Sequence, residues 1–267
     1  MDVRNDDLRF VDTHAHLDDR AFDQDRGSVV EQARSAGVAA MINVGYAPAR
    51  WDSTVALASA HPDIAFTLGL HPGHADEFSD DLMADLERRV LGQRPCAVGE
   101  IGLDYSRSVP DRRLQRRVFE AQLELARVSG LPVVIHQREA AADCAASLSR
   151  TAADRSVILH SFDGSEALLT LGLDRGWVFG VGGLMTRASS QALRDALRKI
   201  PCNQLVLETD APYLVPAGTK ERRNRPALIP LIAERLADHL NLPLSEVAHS
   251  TTVSAARVFA LELDADG

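Results

Sequence analysis

The sequence predicts an α/β protein, a TIM (β/α)8 barrel in which residues 1–267 form a single domain. Short apolar runs alternate with longer amphipathic stretches through most of the chain. The short runs are nearly continuous in apolar character, as expected for parallel strands that are covered on both faces. They amount to eight strands with seven intervening helices, an alternation that is typical of a closed parallel barrel.

The individual elements follow from the positions of the apolar residues. Strands are predicted at residues 8–12, 38–44, 64–69, 97–101, 133–136, 157–160, 177–181 and 205–208. The clearest helix is predicted at residues 111–129, where Leu114, Val118 and Ala121 recur at spacings of three and four and Gly130 follows as a stop signal. Further helices are predicted at residues 29–36, 50–60, 80–91, 165–176, 189–200, 227–240 and 244–259.

An open doubly wound sheet is the alternative fold. Its usual nucleotide-binding sequence, GxGxxG after the first strand, is absent, because this first strand ends in DTHAHLDD. The segment TDAPYLVPAGTKERRNRP, residues 209–226, is long, basic and rich in Pro and Gly. We expect it to form a loop over the barrel mouth and not a domain boundary.

Composition excludes several classes of function. With a net charge of −9 and a pI near 5.5, the chain is not attracted broadly to nucleic acid or to anionic membranes, although a local basic patch could still hold a phosphate. Aromatic residues make up only 5%, which disfavours a stacking platform for single strands. Three widely spaced cysteines, an acidic amino terminus without an apolar core and the lack of any long apolar run indicate a cytoplasmic protein without a signal peptide or membrane span.

Six residues with metal-binding side chains lie where apolar runs end. Each is separately explained without a metal: an HxH pair can be hydrogen-bonded, an acid can be a solvated strand end, and Asp210 can cap the turn before Pro212. In a parallel barrel, however, all strands end at one rim, so the six side chains converge, and burying them together without a cation would be costly. Four imidazoles and two carboxylates suit Zn²⁺, Mn²⁺ or Mg²⁺. The six predicted ligands are His14, His16, Glu100, His136, His160 and Asp210.

Seven motifs carry a resemblance that covers almost the whole chain. They are DTHAHLD (12–18), GLHP (69–72), GEIGLDY (99–105), RRVFEAQLELA (116–126), LPVVIHQREA (131–140), LHSFDGS (159–165) and LETDAPYL (207–214). In this order they resemble the TatD family of metal-dependent deoxyribonucleases, within the amidohydrolase superfamily.

The resemblance implies a TIM barrel with two divalent ions and a metal-bridging hydroxide. One ion would be held by His14, His16, Glu100 and Asp210, and the other by Glu100, His136 and His160. Some binuclear amidohydrolases bridge their ions with a carbamylated lysine on the fourth strand, but this chain has only Lys199 and Lys220, so Glu100 is the candidate bridge. Asp210 is the expected general base. The implied activity is a 3'-5' exonuclease on single-stranded DNA or DNA ends, without a stable nucleic-acid complex, in a monomer or small homo-oligomer.

Substrate contacts are expected from one histidine and the arginines of the long loop. His71, in the GLHP turn, could donate to a phosphate oxygen or simply order its turn. Arg222, Arg223 and Arg225 could grip phosphates in two-point geometry or form a solvated loop face. The family usually has RNEP where this chain has Arg-Asn-Arg-Pro at 223–226. This change predicts either an added phosphate clamp or a different substrate.

Two other functions stay open from the sequence. The same ions could hydrolyse an amide, ester or aminoacyl bond, because a metal-activated water attacks an acyl carbon equally well. A non-catalytic scaffold on an old barrel is disfavoured, since a scaffold has no need of six converging ligands.

Overall fold

Eight parallel strands form a single, nearly closed barrel with helices around it in a computed structural model that describes residues 8–106, 110–151 and 156–263. Neighbouring strands in the sheet follow chain order from β1 to β8. The strands are β1 (Phe10–Ala15), β2 (Val38–Gly45), β3 (Ile64–Leu68), β4 (Ala97–Asp104), β5 (Val133–Arg138), β6 (Val157–Leu159), β7 (Val178–Val181) and β8 (Leu205–Leu207). The predicted fold class is therefore confirmed.

The α-helices of the described residues pack outside this barrel or against one end of it. They are α1 (Arg26–Ser35), α2 (Pro48–Ala60), α3 (Asp80–Gln93), α4 (Arg112–Ser129), α5 (Ala141–Thr151), α6 (Glu166–Arg175), α7 (Gln191–Leu197), α8 (Ile229–Leu240) and α9 (Leu244–Phe259). The seventh intervening helix, for which the apolar pattern predicted no bounds, is α5. Within the described ranges, no helix has both the length and the apolar character that crossing a membrane requires.

Three strands run two or more residues further than predicted. β1, β4 and β5 end at Ala15, Asp104 and Arg138 and not at residues 12, 101 and 136, so that His14 lies inside its strand and not after it. The pairing explains the difference: β4 and β5 keep their parallel register as far as Asp104 and Arg138. Backbone hydrogen bonds between strands do not require apolar side chains. A strand can therefore continue through polar residues after its apolar run has ended.

Apolar side chains on the inside of the barrel form a cluster of their own. One residue or more from seven of the strands contributes to it, and Ala255, Val258 and Phe259 of α9 pack against it. α9 is held at the amino-terminal end of the strands by Thr252 Oγ1, which donates to the carbonyl of Arg9, and by Ser254 Oγ, which donates to that of Asn203. The interior is thus sealed at one end, and the polar side chains gather at the other.

Strand periodicity carries two of the predicted ligands into the interior. Val134 and Ile158 belong to the inner cluster. Because successive side chains on a strand alternate between faces, His136 and His160, two residues later, point to the same side. These positions follow directly from the sequence pattern.

A break in strand register turns Glu100 toward the same interior. Ala97 lies in the inner cluster, so a regular alternation would point residues 99 and 101 inward and Glu100 outward. Ile101 instead packs with the core between the strands and the helices, so the alternation is broken before it. The pairing of β4 with β5 shifts between Val98 and Ile101, and such an irregularity reverses the face of the side chains that follow. A similar shift occurs in β1 between Asp12 and Ala15.

The barrel closes through the segment that follows β8. His16 N–H donates to the carbonyl of Ala211 at 2.7 Å, and Asp210 N–H donates to that of His14 at 2.8 Å. The buried carboxylate of Asp12 accepts from the backbone N–H and the hydroxyl of Thr209, at 2.9 and 2.6 Å. These bonds place Asp210 beside the two histidines of the first strand.

Candidate metal centre

All six predicted ligands meet at the carboxyl-terminal end of the barrel. They arrive from five parts of the chain: His14 from β1, His16 just after it, Glu100 from β4, His136 from β5, His160 just after β6, and Asp210 after β8. Three groups of side chains bring potential ligand atoms within 4.8 Å of one another: His14, His160 and Asp210; His14, His16 and Glu100; and His71, Glu100 and His136. Metal ligation by these residues stays a prediction, but the convergence that it needs is present.

Glu100 lies at the centre of this set. Its Oε1 is 2.8 Å from Nδ1 of His136 and 3.7 Å from Nε2 of His160. Its Oε2 is 3.5 Å from Nε2 of His14. The two oxygens of one carboxylate therefore face imidazoles of β1 on one side and of β5 and β6 on the other, which is the arrangement of a bridging ligand.

Asp210 completes the side of the set that is formed by the first strand. Its Oδ1 is 3.2 Å from Nε2 of His16 and 3.9 Å from Nε2 of both His14 and His160. The backbone of Asp210 has φ 58°, in the left-handed region that Asp tolerates better than most residues. The side chain keeps 17% of its surface exposed, compared with 1% for His14, so Asp210 faces the open mouth.

Burial and mutual attraction set the charges of these groups. Burial acts to raise the pKa of Glu100, but the surrounding imidazoles outweigh it and hold that pKa well below its usual value. Burial acts to lower the pKa of both His160 and His136, but nearby carboxylates outweigh it. Glu208 and Glu100 raise the pKa of His160 to about 10. Asp104 and Glu100 raise the pKa of His136 to about 9. The carboxylates are thus ionised and draw positive charge toward the centre.

Several buried ring nitrogens in the set have no hydrogen-bond partner. They are both nitrogens of His14, Nδ1 of His16 and Nε2 of His136. Buried polar atoms without a partner are uncommon in folded proteins, and each one costs free energy unless another interaction satisfies it. Unpartnered imidazole nitrogens among ionised carboxylates form a donor set that fits divalent cations such as Zn²⁺ or Mn²⁺.

Two acidic residues that were not selected from the sequence contact the histidines from behind. Glu208, 1% exposed, is bonded through Oε2 to Nδ1 of His160 at 3.0 Å. Asp104 Oδ2 lies 3.4 Å from Nε2 of His136. Both residues are part of quoted motifs, LETDAPYL and GEIGLDY, but their spacing gave no sign of which histidine they would meet.

His71 lies next to the set and has a defined tautomer. Its Nδ1 accepts a hydrogen bond from the backbone N–H of Gly73 at 2.9 Å, so the proton of the neutral ring lies on Nε2, which is 4.0 Å from Glu100 Oε1. Burial lowers the pKa of His71 to about 3, helped by the nearby His136. The ring is therefore a neutral hydrogen-bond donor at the site.

The three tyrosines of the chain all lie on the rim of the site. Tyr46 follows β2, Tyr105 follows β4 and Tyr213 follows β8. The rings of Tyr46 and Tyr213 lie 5.0 and 5.8 Å from that of His16, measured between centroids. Tyr213 is 50% exposed. A low aromatic content overall is thus compatible with a concentration of tyrosine rings at the rim of this site.

The loop arginines differ in what they contact. Arg223 forms a bidentate pair with Asp25, with distances of 3.0 and 2.6 Å, and also donates to the carbonyl of Ala21. Arg225 donates to Glu221 at 2.7 Å. Arg222 is exposed and has no ion pair among the described residues. Direct phosphate contact by these three stays a prediction, but two of the guanidinium groups are already bonded to carboxylates.

Comparison with known proteins gives one consistent family. The family model described as TatD related DNase matches residues 11–260. The chain is 35% identical to the uncharacterized metal-dependent hydrolase TatD of Mycobacterium tuberculosis, over 94% of this chain and 98% of that protein. It is also 35% identical to the 3'-5' ssDNA/RNA exonuclease TatD of Erwinia tasmaniensis, over 94% and 99% of the two chains. The crystal structure of YjjV, a TatD homologue from Escherichia coli, superimposes with a TM-score of 0.89 at 31% identity, covering 96% of this chain and 99% of that one.

Proposed function

Because the chain belongs to the family of TatD-related DNases, we propose that it is a metal-dependent phosphodiester hydrolase that removes nucleotides from the 3' end of single-stranded DNA or RNA. We propose further that one catalytic domain spans the whole chain. The hydrolase class agrees with the names of the full-length relatives, and the choice of a single-stranded end agrees with the tyrosines on the rim of the site.

One observation carries the proposal: Glu100 faces imidazoles on both of its oxygens. We assign one divalent ion to His14, His16, Glu100 and Asp210, and a second to Glu100, His136 and His160. The unpartnered Nε2 of His14 supports this assignment, because it faces Glu100 at 3.5 Å and Asp210 at 3.9 Å and an ion would satisfy it. Zn²⁺, Mn²⁺ and Mg²⁺ are the candidate ions, and the donor set of imidazoles favours the first two.

The bound ions would supply electrophilic assistance to a phosphoryl oxygen and an acidified water molecule. Asp210 is the general base, because it is the carboxylate of the set that keeps contact with the open mouth. His71 donates its Nε2 proton to a phosphate oxygen, and it does so as a neutral ring across the physiological pH range. Glu208 holds His160 in place by binding its far nitrogen.

The rim selects the end of a single strand. Tyr213, half-exposed beside His16, offers a ring face on which an unpaired base can stack. Arg222 is the loop arginine that remains available for a phosphate, while Arg223 and Arg225 fix the shape of the loop through Asp25 and Glu221. A base at the end of a duplex is held by its partner strand and by its stacking neighbour, so duplex DNA would be a poor substrate.

The state of the cysteines supports a cytoplasmic location for the protein. Cys96, Cys144 and Cys202 are all free thiols. Burial raises the pKa of the Cys96 and Cys144 thiols to about 12, which makes them unreactive. An unpaired set of this kind suits a reducing compartment.

A substrate panel tests the proposal. Protein loaded with Mn²⁺ or Zn²⁺ is incubated with 5'-labelled single-stranded DNA, the same sequence as RNA, its duplex, and a set of amide, ester and aminoacyl compounds. We expect a ladder of products shortened from the 3' end of the single strands, which chelator abolishes, and much slower loss of the duplex. Turnover of the acyl compounds without any shortening of the oligonucleotides would contradict the proposal and favour an acyl hydrolase.

A further inference from the structure

Four arginines lie at the start of α4, where the helix dipole opposes positive charge. Arg112, Arg113, Arg116 and Arg117 are all within its first two turns, and its first turn has no acidic residue. The amino-terminal end of a helix carries a partial positive charge, so cations there are unfavourable and acids are usual. α3 of the same chain has the usual arrangement, with Asp80 and Asp81 in its first turn. Asp111 caps α4 by accepting from the backbone N–H groups of Arg113 and Leu114, but the helix dipole favours none of the four arginines.

Three of these arginines, Arg113, Arg116 and Arg117, line an open groove between α4 and α5. The groove has a volume of about 490 Å³, and its charged lining residues are Arg113, Arg116, Arg117, Glu120, Asp143 and Arg150. Arg116 donates to Asp143 at 2.8 Å and Arg150 to Glu120 at 2.6 Å. Arg113 and Arg117 make no ion pair among the described residues. The groove thus keeps a net positive charge on a chain whose net charge is −9.

A short series of contacts joins this groove to the candidate metal centre. Asp104, whose carboxylate lies 3.4 Å from His136, exchanges two backbone hydrogen bonds with the side chain of Gln115, at 2.8 and 2.9 Å. Gln115 lies in the first turns of α4, immediately before Arg116 and two residues after Arg113. The arginine-lined end of the groove is therefore at the same end of the barrel as the metal centre.

Tyr105 lies between the centre and the groove. The guanidinium of Arg112 is 4.4 Å from the centroid of the Tyr105 ring, and the Tyr105 hydroxyl donates to the same carboxylate oxygen of Asp143 that Arg116 binds. Arg117 similarly lies 5.0 Å from the ring of Phe78. Aromatic rings and guanidinium groups that lie side by side suit a single strand, whose bases stack and whose phosphates need cations.

We propose that the α4–α5 groove binds the phosphate backbone of the single strand several nucleotides upstream of the bond being cut. This inference rests on the proposed function and adds the path that a long substrate takes out of the site. Arginines one helical turn apart, about 5.4 Å, offer successive charges along a line and so match a run of phosphates better than one isolated anion. Phosphate contacts hold the strand without selecting its sequence.

Reversing the two unpaired charges tests the groove. Arg113→Glu/Arg117→Glu is compared with Arg94→Glu/Arg235→Glu, a control pair of exposed arginines away from the groove. Each protein is assayed on a single strand of about 16 nucleotides and on thymidine 5'-(p-nitrophenyl phosphate), which is too short to reach α4. We expect KM for the long strand to rise about tenfold relative to KM for the small diester, in the groove variant alone.

Salt dependence and direct binding give independent results. Loss of two phosphate contacts should reduce the slope of log KM against log salt concentration by about 1.4. Fluorescence anisotropy in chelator, where nothing is cut, should show a similar loss of affinity for the labelled strand. Equal affinity of wild type and groove variant in the binding assay would overturn the inference about the groove. Failure of the wild type to cut any nucleic acid would refute the proposed function, and the binding assay would still test the groove. A change of oligomeric state in the groove variant would instead assign the surface to a second copy of the chain.

Discussion

Glu208 binds His160 and the next residue of the chain with its two carboxylate oxygens. Oε2 accepts from Nδ1 of His160 at 3.0 Å, and Oε1 accepts from the backbone N–H of Ser161 at 2.6 Å. The other ring nitrogen, Nε2, is left facing Glu100 and Asp210. Gly180 makes this possible, because a Cβ at that position would overlap the Glu208 carboxylate. The orientation of one candidate ligand, which follows β6, is therefore set by a buried acid at the end of β8, two strands away.

Removing the charge of Glu208 should weaken the site without removing a ligand. We expect Glu208→Gln to lower metal affinity and turnover by about 10- to 100-fold, the usual effect of losing an outer partner of a metal-binding histidine. Isothermal titration calorimetry with the metal measures the affinity, and kcat on a single-stranded oligonucleotide measures the turnover. Glu166→Gln, on the exposed start of α6, is the control. Unchanged metal affinity in Glu208→Gln would show that the carboxylate is only a packing residue.

His71 separates a substrate contact from a metal ligand. Because its Nε2 carries the proton and its Nδ1 is bonded to Gly73, we expect His71→Ala to keep the full metal content and to raise KM for phosphodiesters by about tenfold or more. His74→Ala, in the same turn but paired with Glu77, should change neither quantity. Metal analysis of each variant measures the metal content, and steady-state kinetics measures KM. Loss of an ion from His71→Ala would assign His71 to the ligand set instead.

Arg223 and Asp25 should behave as one unit. Their bidentate pair ties the long loop to α1, and the Arg223 guanidinium also covers the ring of Phe22 at 4.5 Å. We expect Arg223→Ala to lower stability in urea unfolding more than Asp25→Ala does, because it also removes the contacts with Phe22 and Ala21. The double variant should be no less stable than Arg223→Ala, and both single variants should change KM to the same extent. If Arg223 instead contacts phosphate directly, Arg223→Ala alone will raise KM.

The Arg34–Asp63 pair should make stability depend on pH in the acid range. Hydrogen bonds from the Arg34 guanidinium hold the pKa of Asp63 below its usual value. A carboxyl whose pKa is lower in the folded protein stabilises it above the unfolded pKa and loses that effect as the pH falls through the folded value. Asp63→Asn should therefore be less stable than wild type at pH 7, and the difference should shrink below about pH 4.

Urea unfolding at pH 7, 5 and 3.5 measures this difference. Glu234→Gln, an exposed acid of α8, serves as the control and should match wild type at each pH. A constant gap between Asp63→Asn and wild type across the three values would mean that the loss comes from packing and not from the ionised pair.

The ligands were predictable because the fold makes their positions regular. Parallel strands of a barrel end at one rim, so a polar residue after Ile135 or Leu159 in an apolar run must reach it. Glu100 was predicted for the same reason, but its inward direction depends on a register shift in β4, which no apolar pattern reveals. Continued backbone pairing with β5 explains why β4 runs to Asp104 instead of ending earlier.

The supporting residues were not predictable in the same way. Glu208 lies 48 residues from His160, and Asp104 meets His136 only because β4 and β5 are paired side by side. The sequence predicted the loop arginines as phosphate contacts. Arg223 instead pairs with Asp25, because the loop packs against the start of α1, and Arg225 pairs with Glu221 of the same loop. Sequence periodicity reports which face a residue takes, not which distant group it will meet.

The central claim is that Glu100 is shared by two ions, and metal content measured together with turnover tests it most directly. Wild type and Glu100→Ala are stripped with chelator, reloaded with Mn²⁺ or Zn²⁺, analysed for bound metal and assayed on end-labelled single-stranded DNA, with circular dichroism as the check on folding. We predict about two ions per wild-type chain, and in folded Glu100→Ala the loss of both bound metal and hydrolysis. Near-normal hydrolysis by Glu100→Ala, or retention of both ions, would contradict the shared carboxylate.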